Sequence, residues 1–386
     1  MTHIPFNRAY SGGAGLDHIR QAIDNAAIAA DGEFSRRCRQ WLIERTGSVG
    51  ALLTPSCTAA LELSALLLDL GPGDEVIMPS FTFVTTATAF VLRQCTPIFV
   101  DIRPDTLNLD ETLLEQAIGP RTKAVVPVHY GSVGCEMDDI MALARSRDLR
   151  VVEDAAHSLL ASYRGRPLGT IGDLGTLSFH ETKNVTSGEG GALLVNDPEL
   201  VDRAEILKDK GTNRARFFKG QVDKYTWVDI GSSYGLSDLA AAFLWGQFEL
   251  CDVITAQRQR IWRRYHDAFA DLENEGRLRR PFVPAHCQPN AHLYYLLLDD
   301  ESDRDRVIET LAEASINAVF HYVPLHSSPA GERYGRVASD MSVTDDISAR
   351  LVRLPIWADM PDSAVARVIA TTRDALLSRR HATSRG

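Results

Sequence analysis

The stretch from Ala124 to Ser158, AVVPVHYGSVGCEMDDIMALARSRDLRVVEDAAHS, decides the fold. It opens on the apolar run AVVPV (124–128) and closes on a second, RVV (150–152). Between them Met137, Ile140, Met141 and Ala144 recur at helical spacing, one apolar stripe on an otherwise polar segment. A strand that is apolar on both faces, then an amphipathic helix, then another such strand is the repeating unit of a parallel sheet covered by helices. Runs of the same kind lie on either side: ALL (51–53), EVIM (75–78), PIFV (97–100), LGTLSF (174–179) and ALLV (192–195). The predicted fold class is therefore α/β, with a mostly parallel seven-stranded sheet in a large domain. Residues 236–265 read as one long helix. Beyond it, LYYLLL (293–298), the helical DRDRVIETLAEA, the strand-like NAVFHYV and a last helix near 362–378 predict a smaller α+β domain. The boundary is drawn at 1–250 for an N-terminal arm and large domain, and 251–386 for a linker helix and small domain.

Bulk properties narrow the function classes. The 386 residues carry a formal net charge of -10, and 45% are hydrophobic against 24% charged. That balance is ordinary for a globular protein and disfavours a nucleic-acid role, since no basic stripe outweighs the acidity. Cys38, Cys57, Cys95, Cys135, Cys251 and Cys287 show no C-x-x-C spacing and read as reduced, buried thiols. The opening MTHIPFNRAY lacks a signal-peptide core, and TAALELSALLLDL is too short to span a bilayer, so a cytoplasmic location is expected.

In an open α/β sheet, ligands gather where loops leave the carboxyl ends of the strands. Four such loops carry chemistry. In LLTPSCTAALEL a helix begins near Cys57 or Thr58, and its free N–H groups suit a phosphate; a plain Ser/Thr cap is the simpler reading. In VVEDAAHS, Asp154 follows a strand directly, where a carboxylate needs a positive or hydrogen-bonding partner such as a protonated pyridine; it also reads as a helix cap. His157, one turn on, faces the same place. SFHETKN (178–184) is not H-E-x-x-H, so zinc is disfavoured and no metal is expected. There Lys183 precedes Gly188, Gly190 and Gly191, where backbone can approach a ligand, and a partly desolvated lysine can form a Schiff base; a surface lysine is the alternative. In MPSFTFVTTAT, Phe81 or Phe83 could stack on a flat ring or simply fill the core. Together, a phosphate cradle, a carboxylate, a flat-ring partner and a lysine are what pyridoxal 5'-phosphate (PLP) needs.

TPSCTAALEL, PSFTFVTTA, VVEDAAHS, SFHETKN with GEGGALLV, and GSSYGLSDLAAA resemble, in order, the motifs of the DegT/DnrJ/EryC1/StrS sugar aminotransferases, PLP-dependent transferases of fold type I. The resemblance runs from Ile4 to the last helix. It implies that Lys183 holds PLP and shuttles the proton, that Asp154 meets the pyridine nitrogen and His157 the ring hydroxyl, and that Phe83 stacks on the ring. It implies further that Cys57, Thr58 and Ser178 contact the phosphate, and that Tyr322 and His326 meet the sugar nucleotide. Where the family carries a Gly-aromatic-Asn-x-Arg motif reaching a neighbouring subunit's phosphate, this chain has Gly231-Ser232-Ser233-Tyr234-Gly235. Ser233 is the expected substitute in a homodimer with shared sites.

KGTNR, GQVDKYTW and VFHYVPLHSSPAGE resemble the branch of the family that forms dTDP-4-amino-4,6-dideoxygalactose. That branch moves an amino group from L-glutamate to dTDP-4-dehydro-6-deoxy-D-glucose. Lys210, Arg214, Arg216, Lys219 and Lys224 stand against the single acid Asp223 in residues 210–224, a local surplus that suits a nucleotide diphosphate or a solvated loop. Rival readings are transamination at another carbon or of another nucleotide sugar, a PLP-binding non-catalytic sensor, and a sugar dehydratase. The dehydratases carry histidine where Lys183 stands.

Overall fold

In this computed structural model residues 2–378 are described, with the exception of Lys219. The central sheet has eight strands, one more than the apolar runs predict. In spatial order they are Gly50–Thr54, Gly191–Val195, Leu174–Ser178, Arg150–Asp154, Thr122–Val125, Glu75–Pro79, Thr96–Val100 and Arg336–Val337. Only Gly191–Val195 runs antiparallel to its neighbours. The additional edge strand, Arg336–Val337, comes from late in the chain and pairs parallel to Thr96–Val100. Its two residues are exposed, so no apolar pattern announces it. It is fastened by Glu75, a buried carboxylate that accepts from Arg121 at 2.9 Å and Arg336 at 3.1 Å.

Both faces of the sheet are covered, which is why its other seven strands are mostly buried and rich in apolar residues. On one side the Cys57–Leu67 helix buries Ala60, Leu61 and Leu63 with Val76, Met78 and Phe90. On the other, Phe34 and Leu42 of the Glu33–Thr46 helix meet Ala241, Leu244 and Phe248. Asp238 locks that second layer. Buried at the start of its own helix, it accepts from Phe34 N at 3.2 Å, Ser35 N at 2.7 Å and Ser35 Oγ at 2.7 Å. One carboxylate thereby satisfies the first amides of another helix.

The predicted long helix over 236–265 is two helices, Asp238–Phe248 and Cys251–Ala268, bent by 60° at their junction. The first follows the large sheet. The second turns away and carries Ile261 and Tyr265 into a separate core with Tyr294, Leu296, Val352 and Val365. No glycine or proline marks the junction itself; the two packing surfaces set it. In that second layer Tyr294–Leu297 pairs antiparallel with Leu351–Leu354, and helices Glu301–Glu313 and Asp362–Leu377 cover it. NAVFHYV (317–323) is not a strand. Its one backbone bridge to the sheet among the described residues joins Val319 to Arg353, and most of the segment runs along a cavity wall. The N-terminal arm is tied to the same layer by Ile4, which donates to Ser315 O at 2.9 Å and accepts from Asn317 N at 2.9 Å.

All six cysteines are free thiols. Among the described residues no single helix is long and apolar enough to cross a membrane, and no cluster of three or more His, Cys, Asp or Glu could hold a metal.

Candidate active site

A cavity of about 1010 Å³ opens where the loops leave the carboxyl ends of the parallel strands. It is walled by three parts of the chain that lie far apart in sequence: those loops, the N-terminal arm through Phe6 and Asn7, and the C-terminal layer.

Asp154, the last residue of its strand, reaches the cavity while remaining 5% exposed. Its Oδ2 accepts from Thr86 Oγ1 at 2.7 Å, and its Oδ1 from Ala156 N at 3.2 Å. Thr86 Oγ1 is itself 2.8 Å from Thr82 Oγ1. Among the described residues no cation pairs with this carboxylate. A buried carboxylate oriented by a hydroxyl and an amide, with no ion-pair partner in contact, suits a protonated ring nitrogen.

The Cys57–Leu67 helix starts at the same cavity. Ser56 caps it, its Oγ accepting from Ala59 N at 3.0 Å, and Ala60 N donates to Ser56 O. Among the described residues the amides of Cys57 and Thr58 have no protein acceptor, the arrangement that binds an anion. The cap and the anion cradle are thus parts of one helix start. Gly191 makes it possible: a Cβ there would lie 2.5 Å from Cys57 N and 2.5 Å from the Ser56 carbonyl carbon. The glycine lets a strand run under the helix start, and this close approach is between two pieces of protein backbone. Burial pushes the Cys57 thiol up, so it stays protonated.

Lys183 lies in the turn after Leu174–Ser178, its N–H donating to His180 O at 2.9 Å. Among the described residues it is the one lysine in the cavity wall. Burial lowers its amine from 10.5 to about 8; Cys57 and Asp154 oppose that effect, and the positive charge of Arg353 adds to it. The neighbouring Asn184 clamps the turn, donating to Asn290 O at 3.0 Å and contacting His292 Nδ1 at 3.1 Å. His180 turns back to Thr182 Oγ1 at 2.9 Å, so the His-Glu pair shapes the turn.

His157 is buried, stacked on His292 at 4.2 Å between ring centroids, with Nε2 at 3.4 Å from Tyr322 Oη. Desolvation, with Lys183 and Arg353 nearby, drives it well below the usual histidine range, so it is neutral. Phe83 stands 56% exposed and lines the cavity, while Phe81 is buried in the core. Ser178 and Tyr322 also line the wall.

Three expected residues lie elsewhere. His326 does not reach the cavity: its Nδ1 is 2.8 Å from Ser80 Oγ and its N–H donates to that oxygen at 2.9 Å, pinning the loop. Arg214 lies outside the wall, 3.5 Å from Asp209. Ser233 forms an isolated bridge with Asp209, away from this chain's own cavity. Within residues 210–224, Lys210 pairs with Asp209 and Arg216 with Asp202, so neighbouring acids offset part of the surplus; Lys219 lies outside the described residues. Phe6 and Arg353 also line the cavity, and only a neighbour relation in the fold brings them to the site.

Residues 12–373 match the model of the DegT/DnrJ/EryC1/StrS aminotransferase family. The chain belongs to this family. It is 33% identical to GDP-perosamine synthase of Caulobacter vibrioides over 367 residues, 94% of this chain and 95% of that protein. Spr1654 from Streptococcus pneumoniae in its PLP form superposes with a TM-score of 0.89 at 26% identity, covering 98% of this chain and 99% of that one. DesI, solved in the presence of its TDP-sugar product, gives 0.87 at 27% identity, covering 99% and 96%. The protein is a PLP-dependent sugar aminotransferase of fold type I, and the wall agrees. An unpaired carboxylate, two free amides at a helix start and a lysine with a lowered pKa are the three anchors that cofactor requires.

Proposed function

We propose that this aminotransferase moves the amino group of L-glutamate to C4 of dTDP-4-dehydro-6-deoxy-D-glucose, releasing 2-oxoglutarate and a dTDP-4-amino-4,6-dideoxyhexose. The observation that carries the transaminase chemistry is Lys183, the single cavity lysine, with its amine lowered to about 8 beside the unpaired Asp154. In this reading Asp154 holds the ring nitrogen of PLP, His157 the ring hydroxyl, and Phe83 one ring face. Cys57, Thr58 and Ser178 hold the phosphate. When bound, PLP supplies an electron sink that makes a carbon-bound proton transferable. Lys183 performs the transfer, taking a proton from one carbon and returning it to another, work suited to an amine that titrates near neutrality.

Support for a nucleotide-linked sugar comes from the similarity to GDP-perosamine synthase and to DesI with its TDP-sugar product, and from the chain's own KGTNR and GQVDKYTW motifs. Tyr322 faces the sugar. Ser233 and Arg214, remote from their own cavity, belong in this reading to the cavity of a second subunit, making the enzyme a homodimer. A cytoplasmic location suits a nucleotide-sugar substrate.

Lys183→Ala should abolish turnover and the visible absorption of the bound cofactor; normal activity in that variant would overturn the assignment. Incubation with glutamate and the dTDP-keto sugar, alongside a GDP-linked keto sugar, tests the substrate. Ring-proton couplings of the product distinguish the galacto from the gluco configuration, and turnover of the GDP sugar alone would replace the dTDP reading.

A further inference from the structure

His292 is buried in the cavity wall, and nothing in the chemistry above uses it. It closes a three-residue clip, Asn290–His292, that joins two loops of the site. At one end Asn290 Nδ2 donates to His157 O and to Leu159 O, each at 2.8 Å. At the other, Asn290 O accepts from Asn184 Nδ2 at 3.0 Å, and His292 Nδ1 lies 3.1 Å from Asn184 Oδ1. Asn184 is the residue next to Lys183. Within the clip Ala291 adopts a φ of 58°, the left-handed region that a Cβ disfavours. Arg258 holds it there, its Nε donating to Ala291 O at 3.1 Å and its Nη2 to His292 O at 2.5 Å. The clip is thereby fastened to the Cys251–Ala268 helix.

Hydrogen bonds assign a tautomer to each imidazole. The Asn184 amide nitrogen donates to a carbonyl, so its oxygen faces His292 and His292 Nδ1 carries the proton. His157 Nδ1 accepts from Gly131 N at 3.4 Å, which leaves the proton on Nε2, the atom 3.4 Å from Tyr322 Oη. Both rings are neutral, because burial drives each well below the usual histidine range. They stack with centroids 4.2 Å apart and planes inclined by 28°. His292 therefore touches both halves of the site, the Lys183 turn by a hydrogen bond and the His157 ring by a face.

Resting on the reading of Lys183 as the reacting amine and His157 as the partner of the ring hydroxyl, we propose that His292 is a positioning residue for both. Its N–H sets the Lys183 turn through Asn184, and its ring face sets the plane in which His157 presents Nε2–H. The two groups are held in one register before cofactor arrives.

Two variants take these roles apart. His292→Asn keeps a donor near the place of Nδ1 and loses the ring, whereas His292→Phe keeps a ring and loses the donor. PLP capture by cofactor-free protein is followed at about pH 10, where the Lys183 amine, lowered to about 8, is free, so the rate reads position. The pH midpoint of the visible band of loaded enzyme reads the donor to the ring oxygen, because that donor favours the state that has lost its proton. His292→Phe should slow capture about tenfold and leave the midpoint within about 0.2 unit. His292→Asn should keep capture within about threefold and raise the midpoint by about half a unit or more. Lys183, Asp154, His321, Tyr322 and Arg353, which also line the cavity, are unchanged in both variants.

A merely structural role would move both readings together in both variants; that result, or no movement in either, would overturn the proposal. His157→Phe checks the reading beneath it and should raise the midpoint at least as far as His292→Asn does. An unmoved midpoint in His157→Phe would remove that residue from the ring hydroxyl, and a wild type that captures no PLP at residue 183 would defeat the reading of the lysine. A midpoint that moves in His157→Phe but not in His292→Asn would sink the role of His292 alone. Should His292→Phe fail to fold, Asn184→Ala, which removes the acceptor and leaves both rings, carries the capture measurement, with an unchanged rate counting against the proposal.

Discussion

PLP is captured only by an unprotonated amine, so the capture rate of cofactor-free protein reports the charge on Lys183. The ordinary value of 10.5 falls to about 8 here, with burial the main cause and Arg353 contributing. At pH 7 about 10% of the amine is then free, against about 0.03% for an exposed lysine, a gain of roughly 300-fold. The capture rate constant should rise about tenfold per pH unit from 6 toward 8 and level off above it. Rapid-mixing absorbance measured from pH 6 to 10, with borohydride trapping and peptide mapping at residue 183, reads this directly. Stability must follow the same titration. Because the folded value lies below the unfolded one, the protonated amine costs stability; the cost is fully present below about 8 and fades as pH rises toward 10.5. Cofactor-free protein should therefore gain stability across that window by at most about 3 kcal/mol, an upper bound because the amine keeps some solvent contact. Lys183→Met should erase the gain. A capture rate that keeps climbing tenfold per unit through pH 10, or an unchanged alkaline stability slope in Lys183→Met, would refute the reasoning.

The helix start and the carboxylate can be probed separately. In Gly191→Ala the new Cβ meets the backbone of Ser56 and Cys57 at 2.5 Å, so the Cys57–Leu67 helix must shift, at a cost of about 1–3 kcal/mol. Cofactor affinity, followed by fluorescence titration, should weaken by about tenfold or more; an unchanged Kd would show that this helix start does not hold the phosphate. Thr86→Val removes the donor 2.7 Å from Asp154 Oδ2 and should destabilise the cofactor-free protein by about 1–3 kcal/mol. Thermal melts matching wild type would mean that water replaces the hydroxyl.

The sequence alone determined the sheet and the residues at its carboxyl edge. Strands buried on both faces must be apolar throughout, so AVVPV, RVV and ALLV stand out from any context. Parallel connection then places the residues after each strand, Cys57, Phe83, Asp154 and Lys183, at one edge, which is why four loops scattered along the chain could be read as one site. What local pattern does not encode is long-range apposition. His326 lies in a run that reads as substrate-facing, yet Ser80, 246 positions away, captures its ring. Gly191 looks like room for a ligand and is room for a helix. The 236–265 helix breaks where two cores pull in different directions, with no residue of its own to show it. Phe6 and Arg353, at opposite ends of the chain, carry no motif. Only tertiary structure stacks one on the other at the wall of the cavity that Lys183 lines, because such contacts are made between neighbours in space.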